Sequence, residues 1–333
     1  MDGYKNFCVN LKLKSTLITL FQSDTLFGHI CWAIRYLKWD GEKGCQKLEE
    51  FLSNYDKNPL KPPLLISDGF PKDFLSKPII RPITQEELET ILEDNDLVES
   101  SYKIKTIKKM TLIPKEVFEE LNQQTITSFG LFKKLFRRFE EIEKDRFKKE
   151  VVFHNTINRI SNTVTSGLYQ QEELFFKPGF DEFEVYLKTN YFSKQDLERI
   201  FGFIAKSGYG RDKSTGKGNF FVEIVDNGEI KGANTTNAFM TLASYIPHQN
   251  APIEGYYDIV LKYGKLGGDF AKSDPFKVPL IMFKSGSTFY DKDYSSDKIY
   301  GSLLKKVHRK NPNIKHYAYA FPIGVNIEDV RDE

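Results

Sequence analysis

The chain has 333 residues, 40% of them hydrophobic, and a net charge of +2. That length suits about two domains with real cores. So small a charge excludes a global basic field, and any nucleic-acid site has to be a local patch. No apolar run approaches the length of a membrane span. Three cysteines, Cys8, Cys31 and Cys45, lack metal-ligand spacing, and with the signal-free start MDGYKNF they predict a cytoplasmic protein.

Residues 4–14 alternate Phe7, Val9, Leu11 and Leu13, which predicts a half-buried strand. Ser23 or Asp24 is expected to cap a helix to about Lys38, whose stripe is Leu26, Phe27, Ile30, Cys31, Ile34 and Leu37. A proline-punctuated region follows, with a short strand at Leu64–Ile66. Thr84 and Glu87 form a capping-box pattern for a helix over 85–94. Pro114 opens another helix to about Leu121. Residues 125–150 read as a solvated amphipathic helix with Leu131, Leu135, Phe136, Phe139 and Ile142 on its apolar side; a partner-binding insertion is the other reading.

The stretch His154–Leu174 is rich in Asn, Thr and Ser and leads to an alternating strand, Phe183, Val185, Leu187. Ser193 with Asp196 caps a helix whose stripe is Leu197, Ile200, Phe201 and Ile204. A glycine-rich loop and the strand Phe220–Val225 come next. Strands are then predicted at Phe239–Ile246, Tyr256–Tyr263, Val278–Phe283 and Tyr317–Val325, with a short helix near Tyr300–Val307. The fold class expected is α+β: an inserted β-α-β-β-α-β ferredoxin-like (RRM-like) domain over 1–236, with insertions at about 50–175, and a smaller ferredoxin-like or β-rich domain over 237–333.

The loop GYGRDKSTGKGNF, Gly208–Phe220, is the most informative stretch. Gly208, Gly210, Gly216 and Gly218 permit turns and close approach. Arg211, Lys213 and Lys217 add positive charge, and Ser214, Thr215 and Asn219 add short hydrogen-bonding groups. A phosphodiester backbone is the ligand this chemistry suits, through amides and basic side chains. A nucleotide P-loop is disfavoured: the glycine spacing is one residue too long, Gly218 stands where Ser or Thr would bind Mg²⁺, and the loop runs from helix to strand. A mobile Gly- and Lys-rich surface turn is the bland alternative.

Five stretches together resemble one family. They are SDTLFGHICWAI (23–34), FLSKPI (74–79), HNTINRISNTVTSGLYQQEELF (154–175), GYGRDKSTGKGNF (208–220) and FKSGSTF (283–289). The chain resembles the RAMP superfamily of CRISPR proteins, most closely the Cas-five-like subunit four of the type III-A Csm effector. The resemblance implies a thumb-like β-hairpin at 153–175 and a non-catalytic RNA-binding subunit without cofactor or metal. It implies that the subunit caps the complex and holds the 5′ tag of the CRISPR RNA. Its partners would be the large Cas-ten subunit and Csm backbone subunit three, with target RNA near the thumb and no membrane.

On that resemblance the RNA-facing residues are those of the glycine loop together with His154, Asn155, Asn158 and Arg159. Arg159 suits phosphate or base stacking, and each Asn suits either a base edge or a turn of the hairpin. Tyr169 and Tyr209 are candidate stacking platforms or core residues. Ser285, Gly286, Ser287 and Thr288 either line the tag groove or form a tight turn. Two alternatives stay open. One is a RAMP endoribonuclease using His29 as acid or base on precursor CRISPR RNA. The other is the cap subunit of a Cmr or type III-D complex.

Overall fold

The alternation in the first predicted strand places Phe7, Val9 and Leu11 on one buried face of strand β1 (Lys5–Leu13). The structure is a computed structural model and describes residues 3–39, 41, 43–92, 97–144, 146–158, 160–271 and 274–329. Helices α1 (Ser23–Tyr36) and α2 (Gly44–Lys57) precede strands β2 (Leu64–Pro71) and β3 (Phe74–Ser76). An insertion follows: α3 (Gln85–Leu92), α4 (Leu97–Lys109), β4 (Leu112–Pro114), α5 (Lys115–Leu121), α6 (Ser128–Arg137) and α7 (Phe139–Ile142). A long hairpin of β5 (Phe147–Ile157) and β6 (Val164–Phe176) leads to β7 (Glu182–Thr189), α8 (Lys194–Ser207) and β8 (Phe220–Asp226). The remainder holds β9 (Ala238–Thr241), β10 (Gly255–Tyr256), β11 (Ile259–Lys262), β12 (Leu280–Phe283), β13 (Thr288–Tyr290), β14 (Gly301–Leu304), β15 (His316–Tyr319) and β16 (Pro322–Val325).

Two four-stranded sheets organise these elements, in the orders β2-β7-β1-β8 and β10-β13-β9-β16. In the first, β1 is antiparallel to both neighbours, with Val9 opposite Val185 and Ile224. The buried stripes of α1 (Leu26, Phe27, Ile30, Ile34) and α8 (Leu197, Ile200, Phe201, Ile204) join the same core. That core is continuous: Val9 and Val185 belong to one buried cluster with Met240, Tyr319 and Val325 from the second half of the chain. Phe27 of α1 stacks on Tyr317 of β15 with ring centroids 4.9 Å apart.

Local signals set several ends. Ser193 Oγ accepts from Asp196 N–H at 3.1 Å, and the Asp196 carboxylate accepts from Ser193 N–H at 3.0 Å, the expected capping box. Thr84 and Glu87 make the same reciprocal pair at α3. At α1 the expected cap is corrected. The N-cap is Gln22, whose side chain makes no capping bond, and Ser23 N–H instead donates 2.7 Å to Asp68 of β2.

Three further expectations change. Residues 125–150 are not one helix: α6 ends at Arg137, α7 is a single turn, and Phe147 already belongs to the hairpin. The apolar side of this region is core, with Leu131, Leu135, Phe136, Phe139 and Ile142 all buried. The helix expected near 300–307 is instead strand β14, paired with β15 through Leu303 opposite Tyr317. Gly301 begins it at φ +92, where a Cβ would collide with the Ala318 carbonyl. Helix α2, whose Leu48, Phe51, Leu52 and Tyr55 recur at helical spacing, and helix α4 were not anticipated. Among the described residues no helix is long and apolar enough to cross a membrane.

Candidate nucleic-acid interface

The glycine loop leaves the end of α8 and returns into β8. All four of its glycines have positive φ, and Asp212 does too. Gly218 shows why glycine is needed: at φ +67 a Cβ there would run into the backbone of Tyr209. The close approach closes the loop's neck, where Tyr209 N–H donates 2.9 Å to the Gly218 carbonyl.

Several of the loop amides turn inward. Gly210 N–H donates 3.0 Å to His29 Nε2, and Arg211 N–H donates 3.3 Å to Thr19 Oγ1. Gly216 N–H bonds the Lys213 carbonyl, Gly218 N–H the Thr16 carbonyl, and Asn219 N–H donates to Ser15 Oγ at 2.9 Å. The amides of Gly210, Gly216 and Gly218 are therefore committed within the protein, which corrects the expectation that these three reach phosphates. What the loop presents outward is side chains. Arg211 is 62% exposed, and its one ion-pair approach among the described residues is to Asp212 at 4.0 Å. Ser214 and Thr215 are exposed, and half-buried Lys213 enters no ion pair among the described residues. Asn219 Nδ2 donates 2.7 Å to the Gly216 carbonyl, bracing the loop.

Tyr209 is corrected from platform to core. It is 1% exposed, its ring lies 4.7 Å from Phe21 and 4.8 Å from His29, and its hydroxyl donates to the Leu20 carbonyl while accepting from Gln22 N–H. His29 sits behind it. Burial, with Lys213 adding repulsion, pulls its pKa down to about 3. The imidazole is neutral, and its Nε2 is occupied as an acceptor.

The thumb-like hairpin forms as expected but runs longer, from Phe147 to Phe176. His154 lies opposite Tyr169 and stacks on it at 5.4 Å; Tyr169 stays 44% exposed. Asn155 falls at a register shift and is exposed. Asn158 takes the turn role, its Oδ1 accepting from Ile160 and Ser161 N–H. Arg159 lies outside the described residues.

The two regions meet at Glu173, a residue the sequence reading missed. It is fully buried at the hairpin's base. Lys217 Nζ approaches it at 2.6 Å, Thr16 Oγ1 donates at 2.6 Å, and His154 Nε2 lies 3.3 Å away. Burial pushes the carboxyl up, but Lys217, Thr16 and His154 outweigh it and leave it below the ordinary carboxylate range. Lys217 is thus an anchor between loop and thumb. Glu173 carried no local signal, because its partners come from three distant segments.

Of the two readings for Ser285–Thr288, the structure takes the tight turn, with Ser287 N–H donating 3.2 Å to the Lys284 carbonyl. Gly286, Ser287 and Thr288 are buried, Ile79 N–H donates to the Gly286 carbonyl, and Thr288 Oγ1 donates 2.6 Å to the Ile79 carbonyl. Ser76 and Ser285 hydroxyls meet at 2.6 Å. This segment ties the FLSKPI loop to the second sheet.

No protein-family model and no curated protein matches the chain. Solved structures do. A chain of a "Csm1-Csm4 cassette in complex with cA4" covers 98% of this chain and 99% of its own length at 17% identity, with a TM-score of 0.57. A chain of the "Csm3-Csm4 subcomplex in the type III-A CRISPR-Cas interference complex" covers 97% and 99% at 16% identity, also with a TM-score of 0.57. Csm4 is the component common to both assemblies. The fold is Csm4-like. A second cassette structure, with AMPPNP, gives a TM-score of 0.56 at 18% identity, again over 98% of this chain. The Csm4-like fold thus takes in the insertion, the thumb-like hairpin and the second sheet together.

Proposed function

We propose that the chain is a non-catalytic RNA-binding subunit of a type III CRISPR effector of the Csm kind. It caps the complex, holds the 5′ tag of the CRISPR RNA, and bridges a large Cas-ten subunit to a Csm3-type backbone subunit. The first sheet is read as a ferredoxin-like unit: β1-α1-β2-β7-α8-β8 has the order of that motif, and its strands lie edge to edge as fourth, first, third, second. The strands of the second sheet all come from after residue 237, which supports the division into 1–236 and 237–333.

The observation that carries the reading is the buried Lys217–Glu173 contact joining the glycine loop to the base of the hairpin. It fastens the loop that carries exposed Arg211, half-buried Lys213 and exposed Ser214 to the hairpin that carries the stacked, half-exposed Tyr169. Cations with an aromatic face suit a single RNA strand. The occupied Nε2 and low pKa of His29 weigh against its use as an acid or base.

Fluorescence anisotropy with repeat-tagged RNA tests this. The double variant R211A/K213A is expected to bind roughly tenfold more weakly and to flatten the salt slope by about 1–2. Unchanged affinity and slope would take the loop out of the interface. Metal-free incubation with repeat RNA tests the other half: specific cutting lost in His29→Ala would replace the scaffold with an endoribonuclease.

A further inference from the structure

An antiparallel ribbon with one wet face normally turns its apolar side chains inward and its polar ones outward. The β11–β12 ribbon is apolar on both faces: Val260, Leu280 and Met282 share the inward face, and the outward face is apolar as well. Its register pairs Ile259 with Phe283, Leu261 with Ile281 and Lys262 with Leu280, so Ile259, Leu261, Ile281 and Phe283 share one face. Ile259, Leu261 and Ile281 are each more than half exposed. The bridge between Lys265 and Phe276 prolongs the ribbon, and Tyr263 and Phe276 there are exposed as well.

The inward face also carries one charge, Lys262. Lys262, only 11% exposed, donates to Gln22 Oε1 at 2.7 Å and to Asp24 Oδ1 at 3.0 Å at the start of α1. Beside it, Met282 is buried against His316. This lysine fixes the register. A one-residue slip would return the isoleucines to the core and strand Asp24 without its cation. The apolar face is therefore held outward by a buried ion pair.

The flanking charges say what fits. Asp258 pairs with Lys284 and Asp274 with Lys310. Lys265, Lys306 and Arg309 are exposed and enter no ion pair among the described residues. Ile259, Leu261 and Ile281 have no flat π-face for a nucleobase, and the aromatics Tyr263 and Phe276 lie only at one end of the ribbon. Two copies packed face to face would set these cations against one another.

We infer that the outward face of the β11–β12 ribbon is a docking surface for a non-identical protein subunit, one that offers an apolar patch rimmed by carboxylates. The inference rests on the reading of the chain as part of a multi-subunit effector.

The test uses the full chain and the Csm1-type and Csm3-type proteins of the same source, each added separately and followed by biolayer interferometry. The variants are I259E/L261E and, for the rim, K306E/R309E. The apolar variant is expected to weaken binding of one of the two proteins roughly a hundredfold, while RNA affinity and thermal midpoint stay at the wild-type values. The rim variant is expected to slow association with that same protein and to reduce its salt dependence. If wild type binds and both variants bind both proteins as wild type does, the ribbon assignment alone falls. If wild type forms a dimer that I259E/L261E abolishes, a second copy is the occupant and the inference is wrong. If wild type binds neither protein, the assembly reading fails and the inference goes with it.

Discussion

Tyr209 decides how the glycine loop is built. Its hydroxyl satisfies one donor and one acceptor in the segment before α1, at Gln22 and Leu20. Tyr209→Phe leaves both unmet inside the protein and is expected to cost about 1–3 kcal/mol. Urea unfolding measures the loss, and RNA affinity of the folded fraction should not change. Loss of RNA binding with unaltered stability would return Tyr209 to the surface role. His29 adds a pH dependence. Its folded pKa of about 3 lies below the unfolded value of about 6.5. Its contribution is complete above the unfolded value and declines as pH falls from there toward 3. His29→Gln keeps an acceptor for Gly210 N–H and is expected to flatten the stability profile between pH 6.5 and 4. A profile identical to wild type would mean that another group sets the slope.

The Lys217–Glu173 contact acts between elements, fastening the loop after α8 to the hairpin β5–β6. Lys217→Met leaves the Glu173 carboxylate buried without its cation, which is expected to cost about 3 kcal/mol. Hydrogen exchange should rise at the hairpin base and the loop together; a rise in only one of them would separate the two. Because Glu173 titrates below the ordinary carboxylate range, its contribution is present above the unfolded value of about 4.3 and fades as pH falls through its lowered folded value. Much of the element pattern was legible beforehand. β1 and β7 announced themselves by alternation, and α3 and α8 by their capping boxes. The misread strand β14 has a physical cause: Tyr300, Leu303, Leu304 and Val307 recur at helical spacing, while the pairing of Gly301–Leu304 with β15 is set by residues more than ten positions away. The site was legible only in part for the same reason. Arg211 and Lys213 could be nominated from composition, but the burial of Tyr209 and of Ser287–Thr288 depends on Phe21, His29 and Ile79, which no local window contains.

Across the whole molecule, the two sheets draw their strands from different halves of the chain yet share one buried cluster. Ile66 N–H donates to the hydroxyl of Tyr317, and Tyr55 and Tyr319 rings lie 5.7 Å apart, so α2 and β2 lean on β15. A chain ending near residue 236 would expose that surface. Scanning calorimetry of the full chain is expected to give a single transition whose van't Hoff and calorimetric enthalpies agree. Two resolved transitions would mean that the halves are thermodynamically independent despite their common interior.

The inward-turned amides of the glycine loop carry a consequence for how fast a strand is captured. A loop whose every turn is fastened by its own protein is already in its final shape before any partner arrives. Little flexibility remains to be surrendered on contact, so the entropic cost of closure is largely absent. Encounter between such a rigid rim of cations and a flexible polyanion should be limited by diffusion and ionic strength rather than by a slow rearrangement.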